Sequence, residues 1–301
     1  MGIKRSVFAS KAEQQNYYKL RYQWGKEHSI YHNLPFLNVL TTESVEVSEV
    51  EMSRLKKTSI DYTFCDESDA PVICVEFDGL YDGVNIGVNY YPSREPTSEW
   101  RKEIMELKLR VAHGSKFPYF ILGNDHFEEL AADLKLTIVD GIIGDVLAKR
   151  AVRTRFDQGF DPEEIGWSKI DFDALGSSVQ NDLIQDWVIG VEVDAELSNN
   201  PIRRKAAELL HSQRISSFGF IPRHCPEPSD TDDLLKRIKE LQSALYIGAT
   251  ATVHSPDHGE LRETVMLPNF KTPGFGSGSD LAGEIAQLIC LTRLARLRQA
   301  V

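Results

Sequence analysis

Two short apolar runs, Ser59–Cys65 and Val72–Asp78, carry carboxylates where buried strands usually have none. Side chains alternate between the two faces of an extended chain. In the first run Ile60, Tyr62 and Phe64 take one face, and Asp61, Thr63 and Cys65 the other. In the second, Ile73, Val75 and Phe77 share a face opposite Val72, Cys74, Glu76 and Asp78. The turn-rich Asp66–Pro71 between them predicts a hairpin. Asp61 and Glu76 then sit on adjacent strands, with Asp78 beyond Glu76 on the same face. A strand apolar on both faces belongs in the middle of a sheet. Three hard oxygen donors brought together suit Mg²⁺ or Mn²⁺. Without an ion, carboxylates this close repel, and one of them holds its proton. The simpler alternatives are solvated acids at a strand end, or an acid held in a hydrogen bond or ion pair.

The surrounding chain reads as α/β. A helix is expected over residues 10–25, with Ser10 as N-cap and Gly25 as stop, and a short strand over Leu34–Val39. Thr41–Ser53 reads as a polar stretch, and a Gly- and Asn-rich loop covers 79–96. A helix over 98–113 carries the stripe Ile104, Leu107 and Val111, with Lys108 beside it, close enough to reach the sheet edge. A snorkelling surface lysine is the plain alternative there. Pro118–Leu122 is a buried-type strand, and Phe127–Ala132 and 137–152 are helical.

Further on, Trp187–Val193 reads as a strand, continuing to put Glu192 and Asp194 on one face, a second acidic string upstream of which lies Asp171. Pro201–Gln213 is an amphipathic helix that begins with the basic cluster Arg203, Arg204 and Lys205, read as a solvated face. A loop at Arg223–Asp233, a helix over 231–243, a hairpin of Leu245–Val253 and Glu260–Leu267, a Gly/Pro loop over Pro268–Gly278 and a helix over 279–299 complete the chain. The expected organisation is an α/β domain over 1–156, with a mixed sheet flanked by helices. An additional α+β region covers 157–301.

The net charge of −11 argues against a surface that coats nucleic acid generally, while leaving room for one local groove. Cys65, Cys74, Cys225 and Cys290 have no CxxC spacing and read as reduced thiols of a cytoplasmic protein. No run reaches the roughly 20 apolar residues a membrane span needs, and no apolar run follows the basic N-terminus as in a secretory signal. No membrane partner is expected.

Val75-Glu76-Phe77-Asp78-Gly79 resembles the I-E-L-D-G-type strand end of one branch of the PD-(D/E)xK nuclease superfamily, which includes restriction and very-short-patch-repair endonucleases. Ile60-Asp61-Tyr62-Thr63-Phe64 is similar to that branch's V-D-F-x-L strand, and Pro118-Tyr119-Phe120 to the strand after its helix. The resemblance covers about residues 10–145. It implies a restriction-endonuclease-like fold and a Mg²⁺- or Mn²⁺-dependent nuclease acting in restriction, repair or defence against foreign DNA. It implies Asp61, Glu76 and Lys108 as catalytic residues, Asp61, Glu76 and Asp78 as metal ligands, and Glu13 as an added N-terminal acid. The usual E-x-K lysine would fall at 78, where this chain has Asp78. That departure, with the acidic charge, raises a second expectation: an inactive nuclease-like scaffold or subunit with a protein partner or as a homo-oligomer.

Overall fold

The computed structural model describes residues 8–94, 99–131, 133–160, 172–213, 215–224 and 245–299. Helix α1 (Lys11–Trp24) precedes strand β1 (Ser29–Pro35), α2 (Glu49–Leu55), β2 (Ser59–Cys65) and β3 (Pro71–Phe77). A small hairpin, β4 (Val84–Ile86) and β5 (Asn89–Tyr91), leads to α3 (Glu99–Gly114), β6 (Tyr119–Leu122) and α4 (Ile138–Gln158). Then come α5 (Ser177–Asn199), α6 (Pro201–Ser212), β7 (Ser217–His224), β8 (Tyr246–Ser255), β9 (Gly259–Pro268) and α7 (Gly278–Gln299).

The first sheet has the order β1-β2-β3-β6. The first three strands are antiparallel, and β6 returns parallel to β3 after the α3 crossover. Each face is sealed by helices. Tyr62, Phe64, Ile73, Val75, Phe120 and Leu122 pack with Leu20 and Trp24 of α1 and Val139, Ile142 and Val146 of α4. Cys74, Tyr119 and Ile121 pack the other way, against Leu55 of α2 and Ile104, Leu107 and Val111 of α3. A side chain of this size stabilises by about 1.5–3 kcal/mol when fully buried. The mixed sheet flanked by helices is thus the direct result of two apolar strand faces.

The antiparallel sheet β7-β8-β9 is covered by α7, whose Ile285, Leu288 and Leu291 share a core with Ala249, Ala251 and Leu261. That core is continuous with the α1/α4 side of the first sheet. Where α4 to α7 meet, a buried polar knot forms. Arg203 donates from Nε to Glu284 Oε1 at 2.7 Å and stands 3.5 Å from Glu196, while Asn200 donates to Glu284 at 3.3 Å. Asp145 accepts from the Gly276 amide at 2.6 Å.

Several sequence expectations change. The short strand at Leu34–Val39 becomes β1, which ends at Pro35, and a 3-10 turn at Phe36–Asn38. The polar stretch at Thr41–Ser53 gives way to α2 at Glu49, started by a capping box of Ser48 and Glu51 and running on to Leu55. The helix expected over Phe127–Ala132 is a 3-10 turn at Asn124–Phe127, and Ala132 lies outside the described residues. The strand expected at Trp187–Val193 lies inside α5: its less exposed positions, Leu183, Trp187, Val191 and Ala195, recur every four residues and face the bundle. Glu192 and Asp194 are exposed and, two residues apart on a helix, diverge, so the second acidic string makes no pair. Asp171 and the helix over 231–243 lie outside the described residues, as does the loop at Arg223–Asp233 beyond His224, the last residue of β7.

Candidate active site

The register of the β2–β3 hairpin decides where the acids go. Thr63 pairs with Cys74 and Tyr62 with Val75. One further step sets Asp61 across from Glu76, on the face that looks toward α3. Opposed residues in such a pair hold their Cβ atoms about 5 Å apart, and like charges there repel. Helix α3 brings Lys108 to the same place. Its ammonium donates to Glu76 Oε1 and, at 2.7 Å, to the Ser59 carbonyl. Lys108 and Glu76 are both buried. The Tyr119 hydroxyl, one strand over on β6, donates to the same Glu76 oxygen.

Asp61, Glu76 and Lys108 line one cavity of about 570 Å³, together with Glu13, Trp100 and Arg101. Asp61 Oδ2 accepts from the Phe77 amide at 2.8 Å. Burial first, and then the Glu76 charge, push the Asp61 carboxyl well above the ordinary carboxylate range; the Phe77 amide and Lys108 pull the other way. No described residue donates to Asp61 Oδ1 or Glu76 Oε2. Two neighbouring carboxylates, each with an oxygen to spare, could hold one hard divalent cation. Among the described residues no three His, Cys, Asp or Glu side chains gather as metal ligands. An ion here would therefore keep waters or take backbone and phosphate oxygens, as Mg²⁺ prefers.

Glu13 reaches the cavity from the first turn of α1. Ser10 and Glu13 form a capping box, in which Oε2 accepts from the Ser10 amide at 3.3 Å and also from the Ala9 amide at 2.8 Å, while Oε1 pairs with His32 Nε2 at 2.5 Å. Both oxygens are engaged, which leaves Glu13 as a nearby charge rather than an open ligand.

Asp78 does not join the pair, and the expectation that it completes the ligand set is corrected. Strand β3 stops at Phe77 and the chain turns away. Asp78 is fully buried and anchors the following loop: Oδ2 accepts from the Gly83 amide at 3.0 Å and from the Tyr90 hydroxyl, and Oδ1 from Arg101 at 2.7 Å. A side chain at Gly83 would strike Asp78 and Tyr90, so glycine is required for that approach.

Three residues that shape the site were not foreseen: Tyr119, which holds Glu76 from outside the cavity, and Trp100 and Arg101 of the cavity wall. Tyr119 had a signal, since a tyrosine on a buried strand needs a partner for its hydroxyl. Trp100 and Arg101 lie at the start of α3, before its apolar stripe, and had none. The basic Arg203–Lys205 cluster does not line this cavity; Arg203 belongs to the α4–α7 knot and Lys205 pairs with Glu208.

No protein-family model matches the chain, and neither curated proteins nor solved structures give a match. No helix among the described residues is long and apolar enough to cross a membrane.

Proposed function

We propose that the cavity is a metal-dependent phosphodiesterase site and that the chain is a nuclease with a restriction-endonuclease-like core. The observation that carries the proposal is the meeting of Asp61, Glu76 and Lys108 in one cavity from β2, β3 and α3. Asp61 and Glu76 are the residues that would hold Mg²⁺ or Mn²⁺. A divalent ion bound there lowers the pKa of its water and offsets the charge that develops on phosphate.

The chain's own groups have separable tasks. Glu76 is fixed by Tyr119 and Lys108, so its second oxygen is aimed rather than free to rotate. Lys108 would orient the attacking water or balance the charge of the transition state. Arg101 brings positive charge to the same cavity through its pair with Asp78. DNA or RNA is the proposed substrate, and restriction, repair or defence the proposed setting. Cytoplasmic residence belongs to the same proposal, supported by the free thiols of Cys65, Cys74 and Cys290.

The test is cleavage of labelled DNA and RNA by the purified protein with Mg²⁺ or Mn²⁺. The proposal predicts cutting that stops with chelator and in an Asp61→Ala, Glu76→Ala double variant. Equal cutting by that variant would sink it. One observation favours the second reading, an inactive scaffold: the Lys108 ammonium sits directly on Glu76 and already neutralises half of the acidic pair. That reading predicts no Mn²⁺ affinity and a stable protein partner.

A further inference from the structure

A second charged surface lies at the other end of the same sheet. The cavity above opens where β2 begins and β3 ends. Where β3 begins, at Pro71 and Val72, a furrow of about 390 Å³ runs between α4 and the loops that carry Pro118 and Gly274. Its lining contains Lys116, Lys149, Arg150 and Arg153, and no Asp or Glu. An adjoining hollow of about 330 Å³ shares Val72 and Arg150 with it and adds Arg155. The sole acid in that hollow, Asp66, is paired to Arg150 at 2.7 Å. Lys116, Lys149 and Arg153 are exposed; Lys116 and Arg153 make no ion pair among the described residues, while Lys149 lies near enough to the buried Asp145, one turn before it, to favour its ionised form.

In a chain with 45 acidic and 34 basic residues, a furrow lined by four cations and no acid is a departure from the overall charge. Lys116, two residues past the end of α3, suits that helix's dipole, but Lys149 stands nine residues before the end of α4 and has no such reason to be there. Gly274 holds φ +75 with Pro118 against it, which keeps the far wall close. Lys149, Arg150 and Arg153 follow one another over about one turn of α4, and Lys116 adds a cation from a second element of the furrow. That arrangement matches a repeating polyanion better than one small anion.

We propose that this furrow is a docking track for the phosphate backbone of a nucleic acid. It is separate from the carboxylate cavity by about the length of β3, roughly 15–20 Å at about 3.3 Å per residue. The track stands on its own charge and geometry and does not depend on cleavage at Asp61 and Glu76.

The test is fluorescence anisotropy with a labelled 30-nucleotide single strand and the corresponding duplex, in chelator so that nothing is cut. Wild type is compared with Lys149→Glu/Arg153→Glu and with the milder Lys116→Gln/Arg153→Gln, each checked for folding by circular dichroism. A control reverses two cations elsewhere, Arg262→Glu/Lys271→Glu. The track predicts at least tenfold weaker binding for Lys149→Glu/Arg153→Glu and a salt slope smaller by about 2, since each phosphate contact contributes about 0.9. The control should stay within about threefold of wild type. No binding by wild type, unchanged affinity and slope in both furrow variants, or an equal loss in the control would overturn it. Binding through the furrow without metal-dependent cleavage would keep the track and remove the catalytic proposal instead.

Discussion

The Lys108–Glu76 pair is the structural keystone of the cavity, and its removal should be costly in a calculable way. Both partners are buried, so the regime is that of an interior pair rather than a screened surface one. Replacing Lys108 by Met leaves the Glu76 carboxylate in place, facing Asp61, with only Tyr119 donating to it. It also strips the Ser59 carbonyl of its donor. Breaking a buried pair from one side costs about 3–5 kcal/mol. For a chain of 301 residues that corresponds to a fall in Tm of roughly 5–8 °C. The measurement is urea and thermal unfolding of wild type, Lys108→Met, and Lys108→Met/Glu76→Gln. The double variant removes the stranded charge while keeping an acceptor for Tyr119, so it should recover most of the loss. If Lys108→Met lies within about 0.5 kcal/mol of wild type, the pair is solvated and the reasoning fails.

Three other outcomes follow from the same geometry. Because Asp61 keeps its proton above the usual range, Mn²⁺ binding should release a proton and strengthen as pH rises; calorimetry in buffers of different ionisation enthalpy would read this, and pH-independent binding would contradict it. Asp78→Ala should destabilise by about 2–4 kcal/mol through the lost loop anchors yet leave Mn²⁺ affinity within about threefold, as checked by unfolding and titration. In the α4–α7 knot, burial pushes Glu284 up to about 7, so the folded state binds the extra proton and loses stability as pH climbs from about 4.5 through 7. The stability difference between Glu284→Gln and wild type should therefore shift by roughly 2–3 kcal/mol toward the variant between pH 4.5 and 8.

What could be read from the residues, and what could not, has a physical basis. The β2–β3 hairpin was legible because alternation and a turn-rich connection fix the register from Tyr62 to Phe64, although it shifts at Phe64–Cys65 and Ile60 packs on the α3 side rather than with Tyr62 and Phe64. Helix α3 and strand β6 followed from an apolar stripe and a short buried run, and so the meeting of Asp61, Glu76 and Lys108 could be anticipated. Asp78 was misplaced because alternation was carried past the point where β3 ends; where a strand stops depends on the loop that accepts it, here through Gly83, Tyr90 and Arg101. The Val-rich segment of α5 was misread because β-branched residues favour strands locally, while packing against α4 and α6 selects the helix. Helix α2 did carry its own mark, Ser48-x-x-Glu51, within a stretch otherwise too polar to suggest a packed element.

The central claim is that Asp61 and Glu76 share one divalent cation. Isothermal titration of the purified protein with Mn²⁺ alone tests it without any assumption about substrate. The account predicts a single site, abolished by Asp61→Asn/Glu76→Gln in a protein that remains folded. A titration with no heat of binding, or a site that survives intact in the double variant, would contradict it.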